Sequence, residues 1–368
     1  MLQKQKISRL QAIYLTFASA YGGVFFYHSY IISLAGRSAW IAEFLSGFIN
    51  IVLALWVLSI AKKHPGRNIF QILELFGGKW ISTIFITAYV ALNIVLSSLL
   101  LMMCGGLVKT IALHNTPVWV PMLLIIVLSY LIAGSGIENI ARLSAMLEFG
   151  ILGLMFFPVL LIGVITQFDP GYIFPMLDTD VPSFLKAVLL TGGGHSEFIL
   201  FLFIMVESLH KPGKQFSSLT IGLLISVVLM PGVGTFLLSA AISPEEASRV
   251  AFAGVNIAFS ITIGTFIQGI EIFIFIPYVI ITVLKLAGNF YSSWVASESV
   301  RQRNSKVLII IITTAVFVIT LSLRSFNQAF FYYIQVIQYC VYPFYIVALC
   351  TVSILMVARG KKAVSRLT

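Results

Sequence analysis

Two groups of adjacent glycines interrupt apolar stretches of the sequence and could bind a ligand through backbone atoms. Gly22-Gly23 lies near the middle of the first such stretch, and Gly192-Gly193-Gly194 lies in the first half of the sixth. Glycine lowers helix stability by about 1 kcal/mol relative to alanine, so both groups are candidates for unwound backbone. Such backbone is tolerated at membrane depth only where it lines a cavity or contacts a ligand. Close helix packing is the alternative interpretation, and the corresponding positions of the two groups favour a ligand site.

Backbone exposed at two such interruptions matches a zwitterion such as an amino acid. Free N–H groups and positive helix-dipole ends would bind the carboxylate, and free carbonyls near Ala20 and Thr191 would bind the ammonium. The predicted backbone site comprises Ala20, Gly22, Gly23, Thr191, Gly192, Gly193 and Gly194. The side chain of His195 is either a hydrogen-bond donor to the ligand or a spacer at the bend.

Polar stripes on two further apolar stretches could complete the site. The first stripe places residues at helical offsets of 0, 4, 8 and 15, and the second at 0, 4, 8, 12 and 15. Interhelical hydrogen bonding is the alternative for each polar residue. The stripes are Tyr89, Asn93, Ser97 and Cys104, and Asn256, Ser260, Gly264, Gln268 and Glu271. Of these, Tyr89, Asn93 and Gln268 are the predicted ligand-binding side chains.

Ionisable residues inside apolar stretches are costly and are therefore functional candidates. Glu197, Glu271 and Lys285 are predicted to couple ligand binding to a proton or to form ion pairs. Glu43 and Glu207 lie nearer the ends of their stretches, and we expect them to reach lipid headgroups. His28 is predicted to have a packing role.

Enzymatic and metal-binding roles are not supported by the residue spacing. Gly194-His195-Ser196-Glu197 contains the residue types of a hydrolase active site. Adjacent helical residues do not face one another, however, so these side chains cannot form a catalytic proton relay. The five histidines and three cysteines show no metal-ligand or disulfide spacing. We therefore predict no catalytic activity, metal or cofactor.

The composition indicates that the elements which position these residues are membrane spans. The 368 residues are 59% hydrophobic and 10% charged, whereas soluble proteins have about 25% charged residues. A span needs about 20 apolar residues, and ten stretches qualify. They are roughly 9–35, 39–60, 79–109, 118–135, 141–166, 183–209, 216–241, 252–287, 307–323 and 330–357. The first is long enough to be a span instead of a cleaved signal peptide.

The basic residues indicate how the spans are oriented. Most of the 23 lysines and arginines fall on one side of the predicted membrane, which places both termini in the cytoplasm. The net charge of +10 is explained by these loops and needs no nucleic acid. Five spans followed by five place the halves in opposite orientations, as in many secondary transporters. We therefore predict one transmembrane domain, residues 1–368, with inverted repeats at about 7–166 and 183–357.

Several motifs together resemble the GerAB-type B subunits of bacterial spore germinant receptors, a branch of the amino acid-polyamine-organocation transporter superfamily. The resemblance covers essentially the whole chain. The motifs are Ser38-Ala39-Trp40-Ile41, His64-Pro65-Gly66-Arg67-Asn68-Ile69, Phe76-Gly77-Gly78-Lys79, Gly136-Ile137-Glu138-Asn139-Ile140-Ala141-Arg142, Ser196-Glu197-Phe198, and Gly269-Ile270-Glu271 with Lys285.

The resemblance implies an all-α, LeuT-like protein of the spore inner membrane, with ten helices of which the first and sixth are broken. Such a protein senses a small nutrient, usually an amino acid, together with an A subunit and a lipoprotein C subunit. The alternative is a proton- or cation-coupled amino acid transporter that acts alone. A channel opened by the receptor complex is a third interpretation.

Overall fold

The computed structural model describes residues 6–21, 27–151, 157–176, 178–209, 219–250, 257, 272–301 and 306–364, and these residues are almost entirely helical. The first helices are α1 (Arg9–Tyr21), α2 (Tyr27–Ala35), α3 (Ala39–Lys63), α4 (Ile69–Gly77), α5 (Lys79–Ile111), α6 (Trp119–Gly134), α7 (Ile137–Ile151) and α8 (Phe157–Gln167). The others are α9 (Val181–His195), α10 (Glu197–Met205), α11 (Leu219–Ala241), α12 (Pro244–Ala247), α13 (Ile272–Arg301), α14 (Lys306–Ser322), α15 (Phe326–Val336) and α16 (Tyr342–Val364).

Six helical runs in the described part of the chain are long and apolar enough to cross a membrane. They are His28–Lys63, Lys79–Ile111, Val181–Ser208, Leu219–Ala241, Ile272–Ser299 and Phe326–Arg359. Two shorter apolar helices, Trp119–Gly134 and Val307–Ser322, coincide with predicted spans. The all-helical membrane architecture is therefore confirmed, while ten spans and an inverted repeat stay predictions.

Local sequence signals explain where several helices begin. Asn68 and Gln71 form a reciprocal capping box at the start of α4. Asp180 caps α9 by accepting a hydrogen bond from the Ser183 amide, and this bond lowers the pKa of the Asp180 carboxyl. Gly36 has φ +53°, a left-handed conformation that glycine adopts without strain, and it lies in the turn between α2 and α3.

The first predicted span is represented by two helices. α1 ends at Tyr21 and α2 begins at Tyr27. Gly22 and Gly23 lie between them, outside the described residues, so unwinding there stays a prediction. In the eighth predicted span, Gln268 and Glu271 also lie outside the described residues.

The sixth predicted span is the most buried of the six membrane-spanning runs, and its glycines are not unwound. Gly192, Gly193 and Gly194 all belong to α9, and the helix is interrupted one residue after His195, at Ser196. The expectation of unwound backbone at these glycines is therefore wrong. The helical hydrogen bonds persist because the carbonyls of Gly192 and Gly193 accept the Ser196 amide at 3.0 and 3.1 Å.

The glycines of α9 instead allow a close approach to the segment that joins α15 to α16. That segment, Ile337–Val341, is π-helical. A Cβ atom on Gly192 would overlap the Tyr342 hydroxyl, and one on Gly193 would overlap the Ile337 side chain. The close-packing interpretation therefore holds for these two glycines.

Replacing Gly193 with alanine is expected to lower the free energy of unfolding by about 1–3 kcal/mol, the usual cost of overpacking a filled interior. Thermal unfolding of the detergent-solubilised protein measures this. Gly234→Ala is the matched control, because a Cβ on this helical glycine meets no atom within 4 Å. The second substitution Ile337→Ala should restore part of the loss, and equal stability of Gly193→Ala and Gly234→Ala would contradict the packing role.

Candidate functional site

We call the run Val181–Ser208, which represents the sixth predicted span, the central span. It is interrupted at a single residue, Ser196, which separates two ionisable side chains. The Ser196 hydroxyl donates to the Gly193 carbonyl at 2.8 Å, and the Ser196 carbonyl accepts the Ile199 amide at 2.8 Å. His195 precedes this turn and Glu197 follows it. The two side chains contact different helices, so each side of the interruption is held by its own polar cluster.

The first cluster is centred on Glu43 of α3, and we call it the Glu43 cluster. Glu43 is fully buried. Its Oε2 lies 3.1 Å from Nε2 of His195 on α9, and its Oε1 lies 3.6 Å from Nδ1 of His28 on α2. Thr235 of α11 donates its hydroxyl hydrogen to Oε1 at 3.3 Å. One carboxylate thus joins α2, α3, α9 and α11.

These contacts determine where the protons lie in the Glu43 cluster. A carboxylate only accepts hydrogen bonds, so Nε2 of His195 must carry the proton in that contact. Thr235 gives its one hydrogen to Glu43, so Nδ1 of His28, 2.7 Å from the threonine oxygen, must donate to it. This arrangement carries one net negative charge if Glu43 is ionised and both imidazoles are neutral. The expectation that Glu43 reaches lipid headgroups is therefore wrong.

The second cluster joins α10, α13 and α15 and is balanced in charge. Lys285 Nζ lies 3.0 Å from Oε2 of Glu197, and both side chains are buried. The Tyr333 hydroxyl donates to Oε1 of Glu197. A buried ammonium and a buried carboxylate in contact neutralise each other, so this ion pair ties the three helices together without a net charge. Neither His195 nor the Glu43 cluster takes part in it.

Several buried polar atoms near the interruption have no hydrogen-bond partner in the described part of the chain. They include Nδ1 of His195 and the hydroxyl of Tyr21, the last described residue of α1, together with the Tyr342 hydroxyl and Asn50 Oδ1 beside Gly192. The rings of His195 and Tyr21 meet edge to face with centroids 6.1 Å apart. An unpaired buried polar group costs about 1–3 kcal/mol. His195 Nδ1 and the Tyr21 hydroxyl thus bear this cost near the ends of α1 and α9, and ligand binding by His195 stays a prediction.

The side chains of the predicted polar stripe on α5 form hydrogen bonds with other groups of the protein. The Tyr89 hydroxyl donates to the Leu200 carbonyl of α10 at 3.0 Å, and the Asn93 amide donates to the Tyr89 carbonyl at 3.0 Å. Ser97 accepts from Asn289 of α13 at 3.2 Å. These contacts match the interhelical interpretation of this stripe. Ligand binding by Tyr89 and Asn93 stays a prediction.

Thr191 and Ala20 lie close to the interruption, but neither has a side-chain hydrogen-bond donor available for a ligand. Thr191 donates its hydroxyl to the Ala187 carbonyl one turn earlier at 2.7 Å, and Ala20 is fully buried. The Gly192 carbonyl accepts the side-chain amide of Asn50 at 2.9 Å. Backbone near the ends of α1 and α9 is thus partly engaged by neighbouring helices.

Sequence reasoning missed Glu43 although a signal was present. Glu43, Ser46 and Asn50 follow one another at offsets of 0, 3 and 7, which places them on one helix face. All three are buried, and this polar face of α3 packs along α9. No three His, Cys, Asp or Glu side chains among the described residues are arranged to hold a metal ion.

Replacing Lys285 with methionine should lower the free energy of unfolding by about 3–5 kcal/mol, because it leaves Glu197 buried without its counter-charge. The double variant Glu197→Gln/Lys285→Met should recover most of this loss. Thermal unfolding in detergent measures both. Arg142→Met is the control, since it removes an exposed i,i+4 pair with Glu138 and should cost at most about 0.5 kcal/mol. No recovery in the double variant would contradict the pairing.

The chain is similar to solved structures of transporters over nearly its whole length. It superposes on Mhp1, a nucleobase-cation-symport-1 family transporter with bromovinylhydantoin bound, with a TM-score of 0.73 and 13% identity. The alignment covers 97% of this chain and 80% of Mhp1. For MhsT in complex with L-phenylalanine the TM-score is 0.68 at 16% identity, covering 97% and 90% of the two chains. These similarities establish a LeuT-like fold.

Sequence comparisons identify the family. Spore germination protein B2 of Bacillus subtilis (strain 168) is 22% identical over 300 residues, which is 80% of each chain. Spore germination protein KB of the same organism is 29% identical over 157 residues, or 42% of each chain. The family model described as spore germination protein matches residues 6–329. The chain is thus a non-enzymatic integral membrane protein and belongs to the spore germination protein family, which confirms its resemblance to the GerAB-type B subunits of germinant receptors.

Proposed function

We propose that this chain is the nutrient-binding membrane subunit of a germinant receptor, and that an amino acid binds where α1 and α9 end. The observation that carries the proposal is the pair of unpartnered buried atoms, His195 Nδ1 and the Tyr21 hydroxyl. In the neutral imidazole described above, Nδ1 offers a lone pair, which accepts a hydrogen bond from an ammonium. The tyrosine hydroxyl can donate to a carboxylate.

Electrostatics favour a ligand with an ammonium group. We propose that Glu43 is ionised and that His28 and His195 are neutral, which gives the buried Glu43 cluster a net negative charge. The Glu197–Lys285 pair is already neutralised, so it offers no comparable attraction. A cationic group beside His195 would gain Coulomb energy from Glu43 in surroundings that screen charge poorly.

The backbone of Gly22 and Gly23 is proposed to bind the ligand carboxylate. Both glycines follow Tyr21 directly, and adjacent glycines allow the backbone to present consecutive N–H groups. Mhp1 and MhsT, which share the fold, have small organic molecules bound. That similarity supports a small-molecule ligand for this chain, while the residues named here are its proposed contacts.

The chain is proposed to act in the spore inner membrane, with both termini in the cytoplasm, beside an A subunit and a lipoprotein C subunit. Ligand changes the affinity for a partner only if it binds two conformations of the chain differently, which typically gives a 5- to 150-fold effect. Such a change could start at the Ser196 turn, because His195 and Glu197 are tied to different helices on its two sides.

His195→Gln is the sharpest test of the site. Glutamine retains an N–H donor for Glu43 but has no acceptor at the position of Nδ1, so binding should weaken about tenfold or more while thermal stability changes little. Calorimetric titration of the purified protein with the twenty amino acids first identifies the ligand and then compares the variants. His114→Gln, at an exposed loop position, is the control. Unchanged affinity of His195→Gln would place the ligand elsewhere.

Reconstitution in liposomes separates a sensor from an autonomous transporter. We expect the chain alone to bind its amino acid without saturable uptake, with or without a proton gradient, because a sensor transmits its change to partner subunits. Loss of the spore response on deletion of the A subunit should accompany this result. Saturable uptake by the isolated chain would instead support the transporter alternative.

A further inference from the structure

A cavity of about 200 Å³ lies between α2, the segment that follows α12, and the first turns of α15. No member of the Glu43 cluster lines it. The side chains that matter for its chemistry are Tyr30, Ser33, Ser248, Arg249 and Phe330. The volume is below the range usual for drug-sized ligands, about 300–1,000 Å³, and suits a smaller metabolite.

Arg249 supplies a positive charge that the described part of the chain does not neutralise. Glu245 and Glu246 of α12 precede it, yet neither forms an ion pair with its guanidinium. A guanidinium presents a planar fork of N–H donors that matches a carboxylate in a bidentate pair. The cavity therefore has a position for one carboxylate.

The two serines offer acceptors instead of donors. The Ser33 hydroxyl already donates to the Tyr30 carbonyl at 2.7 Å, and the Ser248 hydroxyl donates to the Glu245 carbonyl at 2.9 Å. Each serine has a single hydroxyl hydrogen, so only its lone pairs face other groups. Lone pairs of this kind accept hydrogen bonds from an ammonium.

Aromatic rings complete the lining. Tyr30 and Phe330 meet edge to face with ring centroids 6.0 Å apart. Aromatic faces attract cations and also bury apolar side chains. A guanidinium, serine lone pairs and aromatic faces together fit a zwitterion that carries an apolar side chain.

The helices that line the cavity continue to the two polar clusters. Ser29 of the lining directly follows His28 of the Glu43 cluster. Phe330 lies three residues before Tyr333, the partner of Glu197, and residues three apart share a helix face. At 1.5 Å per residue, Phe330 and Tyr333 are separated by about 4.5 Å along the axis of α15.

We propose that this cavity is a second, outer amino-acid site, which holds the zwitterion through Arg249 before it reaches the site at α1 and α9. The proposal rests on the proposed function, because it names an entry site for the same ligand. The distribution of basic residues predicts that Arg249 lies on the non-cytoplasmic side, from which a nutrient arrives.

Protection of an introduced cysteine from chemical modification tests the outer site directly. Asn327→Cys, on the cavity lining, is introduced into full-length protein in which Cys340 and Cys350 are replaced by serine. A membrane-impermeant methanethiosulfonate then reacts with it in the presence of L-alanine, L-phenylalanine or their amides. Val250→Cys, elsewhere on the lining, is a second reporter if the first variant does not fold.

Both amino acids should slow the reaction, and their amides, which lack the carboxylate, should need about tenfold higher concentrations. Arg249→Gln should abolish this difference. Lys186→Gln, which removes an exposed charge predicted for the same membrane side, should preserve it. Equal protection by acids and amides, or no protection at either reporter, overturns the outer site.

A further variant separates this inference from the proposed function. In the His195→Gln chain, protection that persists at unchanged amino-acid concentrations while the calorimetric affinity falls about tenfold supports two distinct sites. Protection that disappears together with binding means that the cavity has no affinity of its own, which overturns the outer site and leaves the site at α1 and α9 in place. Protection with no calorimetric effect of His195→Gln rejects the proposed central site and retains the outer one.

Discussion

A carboxylate buried among membrane helices must be surrounded by hydrogen-bond donors, and this requirement organises the centre of the protein. Glu43 meets it with the His195 imidazole on α9 and the Thr235 hydroxyl on α11, and His28 on α2 donates in turn to Thr235. No one of these helices supplies both donors. The polar contacts of Glu43 therefore link α2, α3, α9 and α11 in the interior.

The central span shows how a small interruption can divide a helix without unwinding it. Ser196 replaces one helical turn with a tighter one, and its own hydroxyl occupies the carbonyl of Gly193. The glycines before it let the chain approach the π-helical segment near Ile337. The interruption of the helix and the close packing therefore occur at different residues, and the glycines serve the packing.

Composition and hydropathy were sufficient to predict the all-helical membrane fold, and quoted motifs were sufficient to predict the family. Side-chain contacts were harder to predict because periodicity reveals which face of a helix is polar but not what it meets. Tyr89 and Asn93 were correctly seen as one stripe, yet the partner of Tyr89, the Leu200 carbonyl, is over a hundred residues away. Glu43 was misjudged because distance from a span end does not measure burial when a neighbouring helix covers that end.

The Glu197–Lys285 pair also affects the insertion of the chain into the membrane during its synthesis. The two runs that contain it, Val181–Ser208 and Ile272–Ser299, have the lowest mean hydropathy of the six candidate spans. Charged residues near a helix centre disfavour insertion by about 2.5–3.5 kcal/mol each, and Lys285 is synthesised long after Glu197 has left the ribosome. Glu197 therefore has no Lys285 to pair with while the run Val181–Ser208 is first inserted, and the pair forms only after α13 has been synthesised.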